Sequence, residues 1–197
     1  MLDGSGGSCH SIRMDDFTAP TLIIAMPQLL DPNFHRSVVL LIEKNDEGAF
    51  GVVINRAGES TIEELCSGLN VEWGGEETAM ALCGGPVGTQ QGFLLHGDVP
   101  DDVTVGSREV LPGIRIASDM ETFRTLCQRP PTDFRILLGY AGWAPGQLDN
   151  EMRSGAWLTT DATPELVFHT PLETVWEKSL RGLGIDPSML VVGSGMH

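Results

Sequence analysis

No apolar run in the chain approaches the ~18–20 residues that a helical membrane span needs, so no transmembrane helix is expected. Basic residues are scarce: twelve Lys and Arg stand against twenty-seven Asp and Glu, a formal charge of −15. Nucleic-acid binding draws on phosphate neutralisation and leaves a basic footprint. The deficit of cations therefore argues against direct DNA binding and against an anionic membrane surface, and for solubility. Cysteine is sparse too. Cys9, Cys66, Cys83 and Cys127 show no C-x-x-C spacing, which is the usage of a reducing cytoplasm with free thiols. The last three lie in or beside apolar segments and read as core residues. Cys9 with His10 pairs two metal-ligand types, but two neighbours in a glycine-rich stretch make a weak site, and the five histidines are dispersed. No metal is indicated. A Walker motif, a G-x-G-x-x-G with a following acid and a G-x-S-x-G elbow are all missing. No cofactor is therefore indicated, and neither Ser67 nor Ser107 has the setting of a nucleophile.

What remains is 197 residues, 41% hydrophobic and 20% charged, enough for one domain with a real core. Residues 1–16 are rich in glycine and serine without an apolar centre; they read as a flexible leader rather than a secretory signal. The expected domain is 17–197. Thr21–Ala25 and Ser37–Glu43 are apolar enough for buried strands. Asp31-Pro32 opens a turn or helix, with Asp as cap and Pro at the first position. Asn45-Asp46-Glu47-Gly48 turns a hairpin into Ala49–Ile54. Ser60 or Thr61 caps a helix with early glutamates. Short strands are expected at Thr78–Cys83, Gly92–His96, Val103–Val110, Ile114–Ala117 and Phe134–Leu138. Ser118 is read as the cap of a helix over Asp119–Gln128. A glycine-rich turn then leads into a short helix from Gln147 that Gly155 closes. Strand Ala156–Thr160, helix Leu172–Leu183 and a short helix capped by Asp186 complete the chain. Strands crowd the first half and helices the second. That order predicts an α+β fold, a single compact domain with a mixed, largely antiparallel sheet packed with several helices.

Three polar blocks carry the candidate chemistry, each with a plainer reading beside it. In the first, Asp31 and Arg36 could orient each other, or Arg36 could grip an anion with its planar fork. Alternatively Asp31 caps and Arg36 covers a strand end. Asn55 and Arg56 close this block at the hairpin's end. In the second, Gly84-Gly85-Pro86 lets backbone approach backbone or a ligand. His96 nearby could be a general base with Asp98 or Asp31, or a hydrogen-bonded structural residue. The third is Gly139–Leu148. It holds Gly142, Trp143, Pro145, Gly146, Gln147 and the only tyrosine, Tyr140. It reads either as a pocket at a helix N-terminus or as a tight strand-to-helix crossing anchored by Trp143. Asp149 and Glu151 on that helix would already answer its dipole.

The runs Leu22–Pro27, Asp31–Val38 and Glu47–Arg56 together resemble the AlgH/YqgE family of bacterial proteins. So do Gly84–Val87 with Gly92–His96, and Gly139–Leu148 with Glu151 and Gly155–Trp157. The resemblance runs in unbroken order from Thr21 to near Leu190. It implies a cytoplasmic α+β protein of largely unknown biochemistry, and, since one branch is linked to transcriptional control of exopolysaccharide production, a regulator. The family's motif residues fall here on Asp31, Arg36, Asn55, Gly85, Pro86, His96, Gly142, Trp143, Pro145, Gly146 and Gln147. No catalytic residue is carried over with them. The expectation is a noncatalytic binding or regulatory protein with a protein or small-molecule partner. The alternative is a small hydrolase using His96, a nearby Asp and the glycine-rich cleft as oxyanion hole.

Overall fold

A computed structural model describes residues 17–100, 103 and 106–190; the expected leader lies outside them. Strand β1 (Thr21–Ala25) shows how the core is divided. Its side chains alternate, as a pleat demands: Leu22 and Ile24 enter one apolar cluster, Ile23 and Ala25 another, and all four are buried. β2 (Val38–Asn45) and β3 (Gly48–Val53) form the expected hairpin. β1 pairs antiparallel with β2 and with β10 (Trp157–Thr160). β6 (Val87–His96), β7 (Arg108–Leu111), β8 (Ile114–Ala117) and β9 (Phe134–Trp143) extend the sheet. Its order is β10-β1-β2-β3-β9-β6-β8-β7. β4 (Ala57–Thr61) and β5 (Met80–Cys83) lie off this path. The β5–β9 pairing is parallel and the others are antiparallel. The sheet is mixed, largely antiparallel and curled. An ion pair of 2.5 Å from Arg108 on β7 to Glu43 on β2 spans the curl.

β9 is the spine. One of its edges pairs with β6, from Tyr140 down to Phe134. A strand has only two edges, so β3 and β5 share the other: β3 takes Ala141–Trp143 and β5 takes Leu137 and Leu138. Here the fold departs from expectation. The sequence pattern predicts a strand ending at Leu138 and a glycine-rich turn from Gly139 onward, whereas β9 runs through to Trp143. The glycines are there because backbones converge. A Cβ on Gly139 would stand 2.4 Å from the Gly85 carbonyl oxygen, and one on Gly85 would stand 2.2 Å from the Tyr140 carbonyl carbon. Gly139 has φ 76°, a left-handed conformation inside a strand. This bulge turns the strand over. Leu137 faces the cluster shared with β1's Leu22, yet Ala141, of the same parity, faces the opposite cluster with Trp143. Opposite it, β6 pairs at Val87 and resumes at Gly92, so the exposed segment 88–91 loops out of the sheet.

Helices cover both faces. α4 (Leu172–Gly182) buries Val175, Trp176 and Leu180 on one face. On the other, α3 (Gln147–Arg153) packs through Leu148 and Met152, and α1 (Ile62–Gly68) and α2 (Met120–Gln128) pack through Ile62, Cys66, Leu126 and Cys127. Thr61 and Glu64 form a reciprocal capping box on α1. The cap of α2 is Asp119, not Ser118: its carboxylate accepts the Thr122 N–H at 2.9 Å. α5 (Pro187–Leu190) follows Asp186, whose carboxylate accepts the Ser188 N–H.

Candidate functional site

The first block is a latch. Asp31 Oδ1 accepts the N–H of Asn33 and its side-chain amide, both at 2.9 Å, closing the 3-10 turn Pro32–Phe34. Arg36 does not pair with Asp31. Its guanidinium lies 5.0 Å from the centre of the Trp176 ring, a cation–π contact. Asn55 accepts the Val38 N–H at 2.8 Å and donates to the Arg36 carbonyl at 2.9 Å. Arg56 donates to the Asn33 carbonyl at 2.6 Å and to Ser37 Oγ at 3.2 Å. Together Asn55 and Arg56 tie the loop before β2 to the end of β3.

The third block is a clasp. Trp143 and Trp157 are buried, and both indole N–H groups donate to Glu151 Oε2, at 3.0 and 2.8 Å. Gln147 donates to the other carboxylate oxygen at 2.9 Å and accepts the Ala144 N–H at 3.0 Å. Phe34 from the latch stacks on Trp143. The turn's backbone donor is thus consumed internally, and exposed Pro145 and left-handed Gly146 shape the crossing into α3. Tyr140 leans on Phe50 and Phe93, while Gly142 sits exposed beside its ring. Gly85 is wedged against Tyr140's backbone, and Pro86 is exposed after it. The sequence held Glu151 only as a helix-dipole charge; its role as shared acceptor for two tryptophans depends on pairing that no local pattern reveals.

His96 stands apart. In the β6–β9 register it faces Phe134, the end of β9 opposite Trp143. Nine steps of strand separate them, at most roughly 30 Å at ~3.3 Å per residue. His96 therefore does not converge with the Gly142–Gln147 crossing, nor with Asp31, whose loop packs at the Trp143 end. The oxyanion arrangement of the hydrolase alternative is not assembled. His96 is buried, and its Nδ1 lies 2.7 Å from the Gly97 carbonyl oxygen. A carbonyl only accepts, so Nδ1 carries the proton and Nε2 accepts from Ser107 Oγ at 2.8 Å. Burial pushes the His96 pKa down; Arg115, across the β6–β8 pair, adds to this, against the Gly97 hydrogen bond and the Asp98 charge. Nothing in the sequence around Ser107 singles it out. The bond to His96 gives it a setting, just ahead of β7.

A cavity opens elsewhere, where α1 and α2 stand apart over β6 and β9. Its volume is about 530 Å³, within the ~300–1,000 Å³ of small-molecule sites. Leu94, Ile136 and Leu138 form the floor; Leu65 of α1, Leu69 just after it, and Met120 and Phe123 of α2 form the walls. Ser60, Glu64, Thr89, Gln90, Ser118 and Asp119 supply polar groups. None of the twelve residues nominated from sequence lines it. Its contributors come from four stretches of chain with no shared motif, so only the fold assembles them. In the apolar cluster that includes Leu94 and Ile136, Cys66 and Cys127 are buried thiols, their pKa values raised by burial above all. Among the described residues no three His, Cys, Asp or Glu side chains gather as a metal site would require, and no helix is long and apolar enough to cross a membrane.

Comparison with known proteins bears on the whole of this frame. A UPF0301 protein of Myxococcus xanthus is 44% identical over 91% of this chain and 98% of its own. A UPF0301 protein of Vibrio parahaemolyticus is 34% identical over 88% of this chain and 95% of its own. The solution structure of the AlgH protein from Pseudomonas aeruginosa superposes with a TM-score of 0.71 at 30% identity, covering all of both chains. A crystal structure from Corynebacterium diphtheriae shares the fold, with a TM-score of 0.69 at 23% identity over 92% of this chain and 93% of its own. The family model described as AlgH-like matches residues 22–188, from β1 into α5. With its fold and nearly its whole described length accounted for in this way, the chain belongs to the AlgH-like family.

Proposed function

We propose that this chain is a noncatalytic, cytoplasmic binding protein that acts in regulation, and that its ligand seat is the α1–α2 cavity. The observation that carries the reading is the cavity itself: an apolar floor and walls, a polar rim, and a volume suited to a small molecule. The residues nominated from sequence support it from the other side. Asn55, Trp143 and Gln147 spend their hydrogen bonds holding the fold. The partner is a small molecule at this cavity, with a protein as the competing occupant. Direct DNA contact is opposed by the charge of −15. A heteronuclear NMR titration against a small-molecule panel tests the proposal. Shifts at Leu65, Leu94 and Phe123 are expected, and a panel that leaves all three unmoved overturns it.

The 2.8 Å Ser107–His96 contact favours a second reading, acyl transfer at a serine. His96 is fully enclosed and both its nitrogens are engaged. We therefore expect a fluorophosphonate probe to leave Ser107 unlabelled by mass spectrometry; stoichiometric labelling there would reverse the order of the two readings.

A further inference from the structure

The α1–α2 cavity carries a charge pattern that selects among ligands. Its lining includes two carboxylates, Glu64 and Asp119, and no Lys, Arg or His. Neither carboxylate forms an ion pair among the described residues. Asp119 is ionised at neutral pH. Burial alone would raise its pKa, but hydrogen bonds from the Thr122 N–H and hydroxyl, with those from the backbone of Asp119 and Glu121, outweigh it and hold the carboxyl below its ordinary range. The start of α2 is thereby occupied by its own anion, with Glu121 in the same turn, so it offers little to a phosphate or a carboxylate. Glu64 is likewise placed by the capping box, its Oε2 accepting the Thr61 N–H at 2.9 Å.

We propose that the cavity takes a small amphiphilic cation, its apolar body on the Leu94–Ile136–Leu138 floor and its protonated amine at the rim that bears Glu64 and Asp119. This rests on the reading of the cavity as the ligand seat and names the chemical class that fits it. The apolar floor supplies affinity without direction, through the water it releases. The carboxylates supply the choice of head group. An ammonium gains a direct partner in Glu64, whose Oε1 takes no part in the capping box. Asp119 acts through its charge alone, since its Oδ1 caps Thr122 and its Oδ2 is buried toward Gly106. A carboxylate of the same shape meets both like charges and the field of an acidic protein. Nucleotides, sugar phosphates and acyl anions are disfavoured by the same logic.

The test is a matched trio on the full chain: 4-phenylbutylamine, 4-phenylbutan-1-ol and 4-phenylbutyrate share one body and differ in head group. NMR titration of the labelled protein gives the site and the affinity of each. We expect shifts at the cavity amides, with the amine at least tenfold tighter than the butyrate, about 1.4 kcal/mol, and the alcohol between them. The double variant Glu64→Gln, Asp119→Asn should erase the preference. Both substitutions keep a cap oxygen, since Asn caps as Asp does and Gln serves in a capping box. Should the variant fold poorly, added salt on the native chain replaces it, and the amine's advantage must shrink as ionic strength rises. Equal affinities for the three at the cavity, or tighter binding of the butyrate, would overturn the charge inference while leaving the cavity a ligand seat. Silence from all three at the cavity overturns both.

Discussion

Glu151 shows how much one side chain holds at this fold's edge. It accepts from two buried indoles and from Gln147. Removing a partner from a buried donor costs about 1–3 kcal/mol, so Glu151→Ala is expected to lower stability by about 2–4 kcal/mol in urea unfolding. Glycines should split by what surrounds them. Gly85→Ala drives a Cβ into Tyr140's backbone at a φ of 149°, and a loss of more than about 3 kcal/mol or outright misfolding is expected. Gly68→Ala meets open space within α1 and should gain about 0.5–1 kcal/mol, read by the same unfolding curves. His96 predicts a pH dependence. Its folded pKa lies below the ordinary value of 6.5, so the unfolded chain binds the extra proton. The stabilisation is complete above about pH 6.5 and is lost as pH falls toward the folded pKa. Thermal unfolding from pH 8 to 5 should show this decline, and His96→Gln should start lower and flatten it.

Among the elements, those with local signals were legible and those defined by distant neighbours were not. The β2–β3 hairpin announces itself through Asn45–Gly48, and α1 through the Thr61–Glu64 box. At α2 the choice between Ser118 and Asp119 turned on one residue of register, settled by the hydrogen bond to Thr122. Asp119→Ala should therefore cost about 1 kcal/mol in denaturant unfolding and Ser118→Ala nearly nothing. β9 was cut short at Leu138 because glycine usually marks a turn. Nothing within Gly139–Trp143 says that Gly85 will lie against it. The same reason hides the Glu151 clasp, the Ser107–His96 bond and the α1–α2 cavity. Each joins residues whose proximity is a product of topology, while the motif residues that stood out in sequence hold the frame.

Across the molecule, the curled sheet carries α4 and the short α5 on one face and α1, α2 and α3 on the other, with two separate apolar clusters beneath those three. The acidic surface and the rim carboxylates act in the same direction, toward cations and away from polyanions. The left-handed glycine in β9 has a consequence for inheritance. Because Gly139 turns the strand over midway, the tryptophan clasp leans on its second half, while the cavity floor at Ile136 and Leu138 lies on its first. Variation at the floor need not reach Trp143, nor the reverse. A lineage can thus retune what the cavity accepts without reopening the question of how the chain folds, because one backbone kink insulates the two tasks from each other.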